Sequence, residues 1–275
     1  MTTSLSFIEK DSFVHRLTGA TKLVFFILWS VAAMVTYDTR VLALMFFAGI
    51  GIFKLSKLEW SDVKVAVYFM VVLILMNMVG IYIFSPEQGV EIYGTRHELF
   101  HIIGRYSVVT EQLFYMFNFA LKYLVVMPVA LVFILATNPS EFASSLNRIG
   151  VNYKIGYAVA IALRYIPDVQ RDFHEISQAQ QARGIDLSGK DSLLSRMKNS
   201  AAILFPLVLS SLNRIETISN AMELRGFGKR RKRTWIMQKR FKKQDYLVVL
   251  VAAAIMAISI GLITVTGDRY WNPFI

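Results

Sequence analysis

The chain has 275 residues, 55% of them hydrophobic and only 18% charged, with a mean hydropathy of +0.47. Soluble domains carry about a quarter charged residues, so the composition points to a bilayer-embedded protein. There is no cysteine, which excludes disulfides and thiolate metal sites, and the net charge of +11 is gathered into a few stretches between apolar runs.

The N-terminal stretch MTTSLSFIEKDSFVHRLTGATK holds acidic residues and no small-residue cleavage pattern, so no removable signal peptide is expected. A spanning helix needs ~20 largely apolar residues. Spans are predicted at roughly 23–37, 63–84, 113–136 and 246–266. A shorter run, Val41 to Phe53, follows the tight TYDTR turn and reads as a fifth span whose Lys54 and Lys57 reach to the surface. With the N-terminus inside, Lys10, Arg16, Lys22, Lys54, Lys57, Lys64 and the 19 basic residues of 137–245 fall on one side. Arg40, Arg96, Arg105 and Arg269 fall on the other, so the N-terminus is expected to be cytoplasmic and the C-terminus outside.

Between the runs 113–136 and 246–266 lies 137–245, too long for a loop and not disordered by composition. Asn138-Pro139-Ser140-Glu141 reads as a turn and helix start. Ile161, Tyr165, Val169, Phe173 and Ile176 recur at helical spacing, as do Leu212, Ile215, Ile218 and Met222, so two long amphipathic helices are predicted. Pro167 and Pro206 mark a kink or a new helix start within them.

Four further stretches invite chemical readings. HELFH, with His97, Glu98 and His101, fits the H-E-x-x-H pattern that holds zinc on a helix, with Glu111 a possible third ligand. Its setting, a ~28-residue connector between spans, is too short to enclose a catalytic domain and reads more simply as a polar amphipathic surface segment. GIDLSGKD, from Gly184 to Asp191, nearly matches a phosphate loop but ends in Asp and follows a helical pattern, so no nucleotide site is expected. The run from Lys229 to Lys243, nine basic residues in fifteen, reads as a juxtamembrane anchor to anionic lipid rather than a nucleic-acid site. Lys122, inside the apolar run 113–136, is either a functional intramembrane charge or faces a partner subunit, a polar group of a neighbouring helix or a displaced interface. The 12 methionines suit cores and repacking surfaces alike.

The most specific feature is a repeated phrase, ISQAQQARG from Ile176 and ISNAMELRG from Ile218, placing Arg183 and Arg225 42 residues apart. A glycine after a last-turn arginine is a common helix ending. That ending does not require the shared Ile176 and Ile218, Ser177 and Ser219, or Ala179 and Ala221. Their small side chains admit a close neighbour, and each arginine offers a planar, multi-donor head for a pocket. Two equivalent plugs suit two equivalent sockets, hence a dimeric partner.

Ala182-Arg183-Gly184 and Leu224-Arg225-Gly226, on helices before a last span, resemble the paired motifs of the T component of energy-coupling factor (ECF) transporters. The similarity extends through the Asn138–Glu141 turn and RYIPDV; leucine stands for alanine in the second motif. The resemblance implies an all-α integral membrane protein of about five transmembrane helices plus long amphipathic cytoplasmic coupling helices. Its division would be N-terminal membrane helices over 1–136, a coupling domain over 137–245, and a last span with a short outer tail over 246–275. It implies a non-enzymatic coupling subunit of a cell-membrane importer of a vitamin or transition-metal ion, without cofactor or metal. Two ABC-type ATPases, identical or homologous, would seat Arg183 and Arg225, and a small membrane S component would bind substrate. The competing readings are an intramembrane zinc protease on His97, Glu98 and His101, and a self-contained carrier with Lys122 on its path.

Overall fold

The computed structural model describes residues 7–103, 106–185, 193–229, 235 and 239–274. The phosphate-loop near match beyond Ile185, and most of the basic run after Lys229, lie outside the described residues. The chain forms two compact units, 1–138 with 239–275, and 139–238.

The first unit begins with a short turn, α1 (Phe13–Arg16), followed by α2 (Gly19–Val35) and α3 (Thr39–Leu55). Asp38 ends the predicted tight turn between them, and its carboxylate accepts from the Arg40 amide at 2.9 Å as the N-cap of α3. Then come α4 (Trp60–Phe84), the one-and-a-half-turn α5 (Gln88–Tyr93), a hairpin of β1 (Glu98–Ile103) with β2 (Tyr106–Val109), and α6 (Thr110–Ala136). The hairpin corrects the expected amphipathic connector; ELFHII and YSVV are rich in β-branched and aromatic residues, which favour strands.

The core gathers on α2, α3 and α6, where Trp29, Leu42, Met45 and Val125 are almost fully buried. The Trp29 indole donates to the Val125 carbonyl at 3.1 Å, giving this large side chain a polar partner within the core. The last helix of this unit, designated α10 (Lys243–Thr266), runs parallel to α2. At one end buried Asp245 accepts from the amides of Thr18 and Lys242, both at 2.8 Å, so one carboxylate serves the N-termini of both helices. At the other end the Tyr37 amide donates to the Arg269 carbonyl at 3.0 Å.

Two lysines tie α2 to α6, which run antiparallel. Lys22, in the first turn of α2, donates at 2.7 Å to the carbonyl of Ala136, the last residue of α6. Lys122, midway along α6, donates at 2.8 Å to the carbonyl of Met34 in the last turn of α2, with its ammonium 3.0 Å from the Tyr37 ring centre. Each therefore supplies a cation and a donor to the orphan carbonyls at the other helix's C-terminus.

The second unit holds α7 (Pro139–Arg148), α8 (Tyr153–Ala182) and α9 (Leu193–Leu224). Pro167 and Pro206 lie inside α8 and α9, and neither starts a new helix.

Helices lie at all five places where spans were expected. Among the described residues four helices are long and apolar enough to cross a membrane: Trp60–Phe84, Thr110–Ala136, Met197–Leu224 and Lys243–Val265. α2 and α3 have 17 residues each, or about 25 Å at 1.5 Å per residue, short of a ~30 Å hydrocarbon core. The amphipathic α9 joins the set because of its apolar run from Ala201 to Leu212. The chain is an all-α multi-pass membrane protein, with one small hairpin added.

Candidate functional site

The repeated phrase ends both long helices in the same backbone geometry. After α8, Gly184 takes φ +86°, its amide donates to Gln181 O at 2.9 Å, and the Ile185 amide donates to Gln180 O at 3.1 Å. After α9, Gly226 takes φ +64°, its amide donates to Glu223 O at 2.9 Å, and the Phe227 amide donates to Met222 O at 2.9 Å. Both are Schellman endings, in which a left-handed glycine lets two amides satisfy the last carbonyls. Each arginine is thus the last residue before the chain reverses, and both Arg183 and Arg225 are exposed.

α8 and α9 pack antiparallel, so the two motifs sit at opposite ends of one hairpin. The Gln180 amide donates to Ala202 O at 3.0 Å, the carbonyl four residues before Pro206, which has no N–H to offer it. Arg214 binds the carboxylate of Asp172 and lies 5.7 Å from the ring centre of Tyr165. From Ala202, level with Gln180, to Leu224 is 22 residues, about 33 Å along the helix.

Asp172 and Arg214 are themselves 42 residues apart, equivalent positions of the repeat that meet each other. The residue equivalent to Gln180 is Met222, which shares a groove with Ala158 and Ile161 near the start of α8. These contacts follow a local two-fold pattern centred on the Asp172–Arg214 pair, with one arginine motif on each arm.

The supporting residues divide between the arms. Ser177 is buried and Ser219 exposed; Ile176 and Ile218 are half-buried, and Ile218 lines the groove. Ala179 and Ala221 are exposed, as are Ala182 and Leu224, the latter at 90%. The second motif is further anchored by aromatic rings, with Phe227 5.8 Å from Tyr153 and 4.8 Å from Tyr157. Asp172, Arg214 and Gln180 escaped the sequence reading. Extending the 42-residue comparison upstream would have found the opposite charges at 172 and 214.

The geometry at Gln180 gives a direct test of this bracing. Gln180→Leu is expected to cost about 1–3 kcal/mol by leaving the Ala202 carbonyl unpaired. In a Pro206→Ala background, where the helix supplies its own N–H, the same change should cost much less, as thermal unfolding of the four variants would show.

The HELFH residues do not form a helical zinc face. Glu98 to Ile103 is a strand, on which residues four apart lie roughly 13 Å from one another. His97 instead holds the buried carboxylate of Glu111, which accepts from its amide at 3.0 Å and its Nδ1 at 2.6 Å, while His101 Nδ1 lies 3.1 Å from Glu98.

Residues 10–235 match the family CbiQ, described as cobalt transport protein. The chain is similar to three proteins named energy-coupling factor transporter transmembrane protein EcfT. That of Lactococcus lactis subsp. cremoris is 29% identical, covering 92% of this chain and 94% of the relative. That of Bacillus selenitireducens is 27% identical over 91% and 94%, and that of Brevibacillus brevis 28% over 93% and 95%.

Proposed function

We propose, given that the chain belongs to the CbiQ family and is the transmembrane T component of an ECF transporter, that its α8–α9 hairpin couples two ATPases to a separate substrate-binding subunit. The observation that carries this reading is the pair of identical helix endings on arms related by a local two-fold. Such an arrangement complements a two-fold or pseudo-two-fold partner, here a pair of ABC-type ATPase subunits seating Arg183 and Arg225 in equivalent grooves. The flanking Ala182, Gly184 and Gly226 allow close approach, and a groove wall would cover the exposed Leu224.

In this reading the chain is a non-catalytic scaffold without cofactor, and ATP is hydrolysed on the partner chains. A small membrane S component binds the substrate, a vitamin or transition-metal ion, and reorients as the hairpin moves. The apolar helices of the first unit, α10 included, lie in the cell membrane, while the N-terminus and the region 137–245 face the cytoplasm, in accord with the distribution of lysine and arginine. The apolar stretch of α9 is then suited to contact with lipid or the S component.

The test is affinity capture of the tagged chain from its native membrane, followed by mass spectrometry. Wild type should recover ABC-type ATPase and a small membrane protein. Arg183→Glu or Arg225→Glu should lower ATPase recovery about tenfold, or about 1.4 kcal/mol, and the double variant should abolish it with the chain still folded in membrane. Unchanged ATPase recovery by the double variant would reduce the repeated phrase to helix capping.

A further inference from the structure

Within the first unit a cavity of about 330 Å³ runs between α2, α3, α6 and α10. Its walls are apolar, with Phe25, Trp29, Ile52, Phe133 and Val251 among them. Its single charged liner, Lys22, has its ammonium on the Ala136 carbonyl. The volume is at the lower end of small-ligand sites, ~300–1,000 Å³. That size suits a slender apolar chain.

Phe13, Val14 and Leu17 of α1 line one end of the cavity, and cations gather there. Lys239 donates to the carbonyl of His15 at 3.1 Å, and exposed Arg240, Lys242 and Lys243 lead into α10. Exposed Lys54 and Lys57 close α3, whose Ile52 and Leu55 line the cavity. The His15 imidazole is held below its ordinary pKa, by burial first and then by the positive field of Lys22, Lys239 and Lys10. Asp11 is engaged with Arg16, Glu59 and Asp62 with Lys10, and Asp245 with backbone amides, while Glu9 is exposed. A lipid phosphate reaching this rim meets more cations than open acids.

We infer that this cavity is a specific site for an anionic phospholipid, with one acyl chain between the helices and the headgroup on the cationic rim. The fit rests on an apolar cavity beside the exposed cations Lys54, Lys57, Arg240, Lys242 and Lys243 in a membrane protein.

The full-length chain would be titrated in detergent with phosphatidylglycerol or with phosphatidylcholine of the same acyl chains, and bound lipid read by native mass spectrometry. One phosphatidylglycerol is expected, held at least tenfold more tightly than phosphatidylcholine. Ala48→Phe, which fills the cavity, should remove both; Arg240→Gln with Lys243→Gln should bring the two lipids within about twofold. The rim pair lies outside the packed core, so it reports even where Ala48→Phe perturbs folding. Equal affinity for the two lipids, or undiminished phosphatidylglycerol on Ala48→Phe, overturns the site. So does an Ala48→Phe chain that keeps the lipid but loses a co-purifying membrane protein, since the cavity would then be a protein seat.

Discussion

Arg214→Asp is expected to lower ATP-driven uptake by the assembled transporter at least tenfold, and the exchange Asp172→Arg with Arg214→Asp to recover much of it. The pair lies where α8 and α9 cross, with the Asp172 side chain 15% exposed and that of Arg214 30%. Placing two carboxylates there leaves both without a cation, and breaking a largely buried pair costs about 3–5 kcal/mol, less where water reaches it. The arms then lose the contact that fixes their crossing, and with it the spacing of Arg183 and Arg225. A coupling element that must engage two sites at once is sensitive to that spacing.

The exchange is informative because positions 172 and 214 are equivalent under the 42-residue repeat, so the swapped charges occupy nearly interchangeable places. Recovery should nonetheless be incomplete. Arg214 rests near Tyr165, whereas an arginine at 172 would face Leu207, the equivalent residue, and lose the cation–π contact. Uptake within twofold of wild type for Arg214→Asp, or a double variant no better than the single, would remove the pair from the coupling pathway.

The legibility of this molecule followed the range of its interactions. The repeated phrase was readable because a Schellman ending is local; glycine, the preceding arginine and the helical period all lie within a few residues. Helices α4, α6 and α10 were readable because burial in lipid demands long apolar runs. The hairpin at 98–109 was missed because HELFH carries a helical motif whose meaning depends on helical geometry, while ELFHII is equally a strand by composition. Gln180 gave no local sign either. Its partner is a carbonyl orphaned by a proline 26 residues later, and only the α8–α9 packing brings them together. Lys122 could be read as a functional charge or as a partner to another helix, and its contacts decide for the second.

That decision carries the other large expected effect. Lys22→Met and Lys122→Met keep the apolar stems and remove the ammonium groups, leaving the Ala136 and Met34 carbonyls without these donors. Each is expected to destabilise the chain by about 1–3 kcal/mol. Lys22 should cost more, because it is only 5% exposed whereas Lys122 is partly open and its acceptor residue Met34 is 69% exposed. The two lysines serve opposite ends of the same α2–α6 pair, so the double variant should approach the sum of the singles. Thermal unfolding in detergent measures these costs, and uptake per folded molecule separates capping from a transport role. As a cap, Lys122→Met lowers the unfolding temperature while each folded transporter keeps near-normal uptake. A variant of unchanged stability that transports nothing would instead put Lys122 on the substrate path and return the carrier reading to contention.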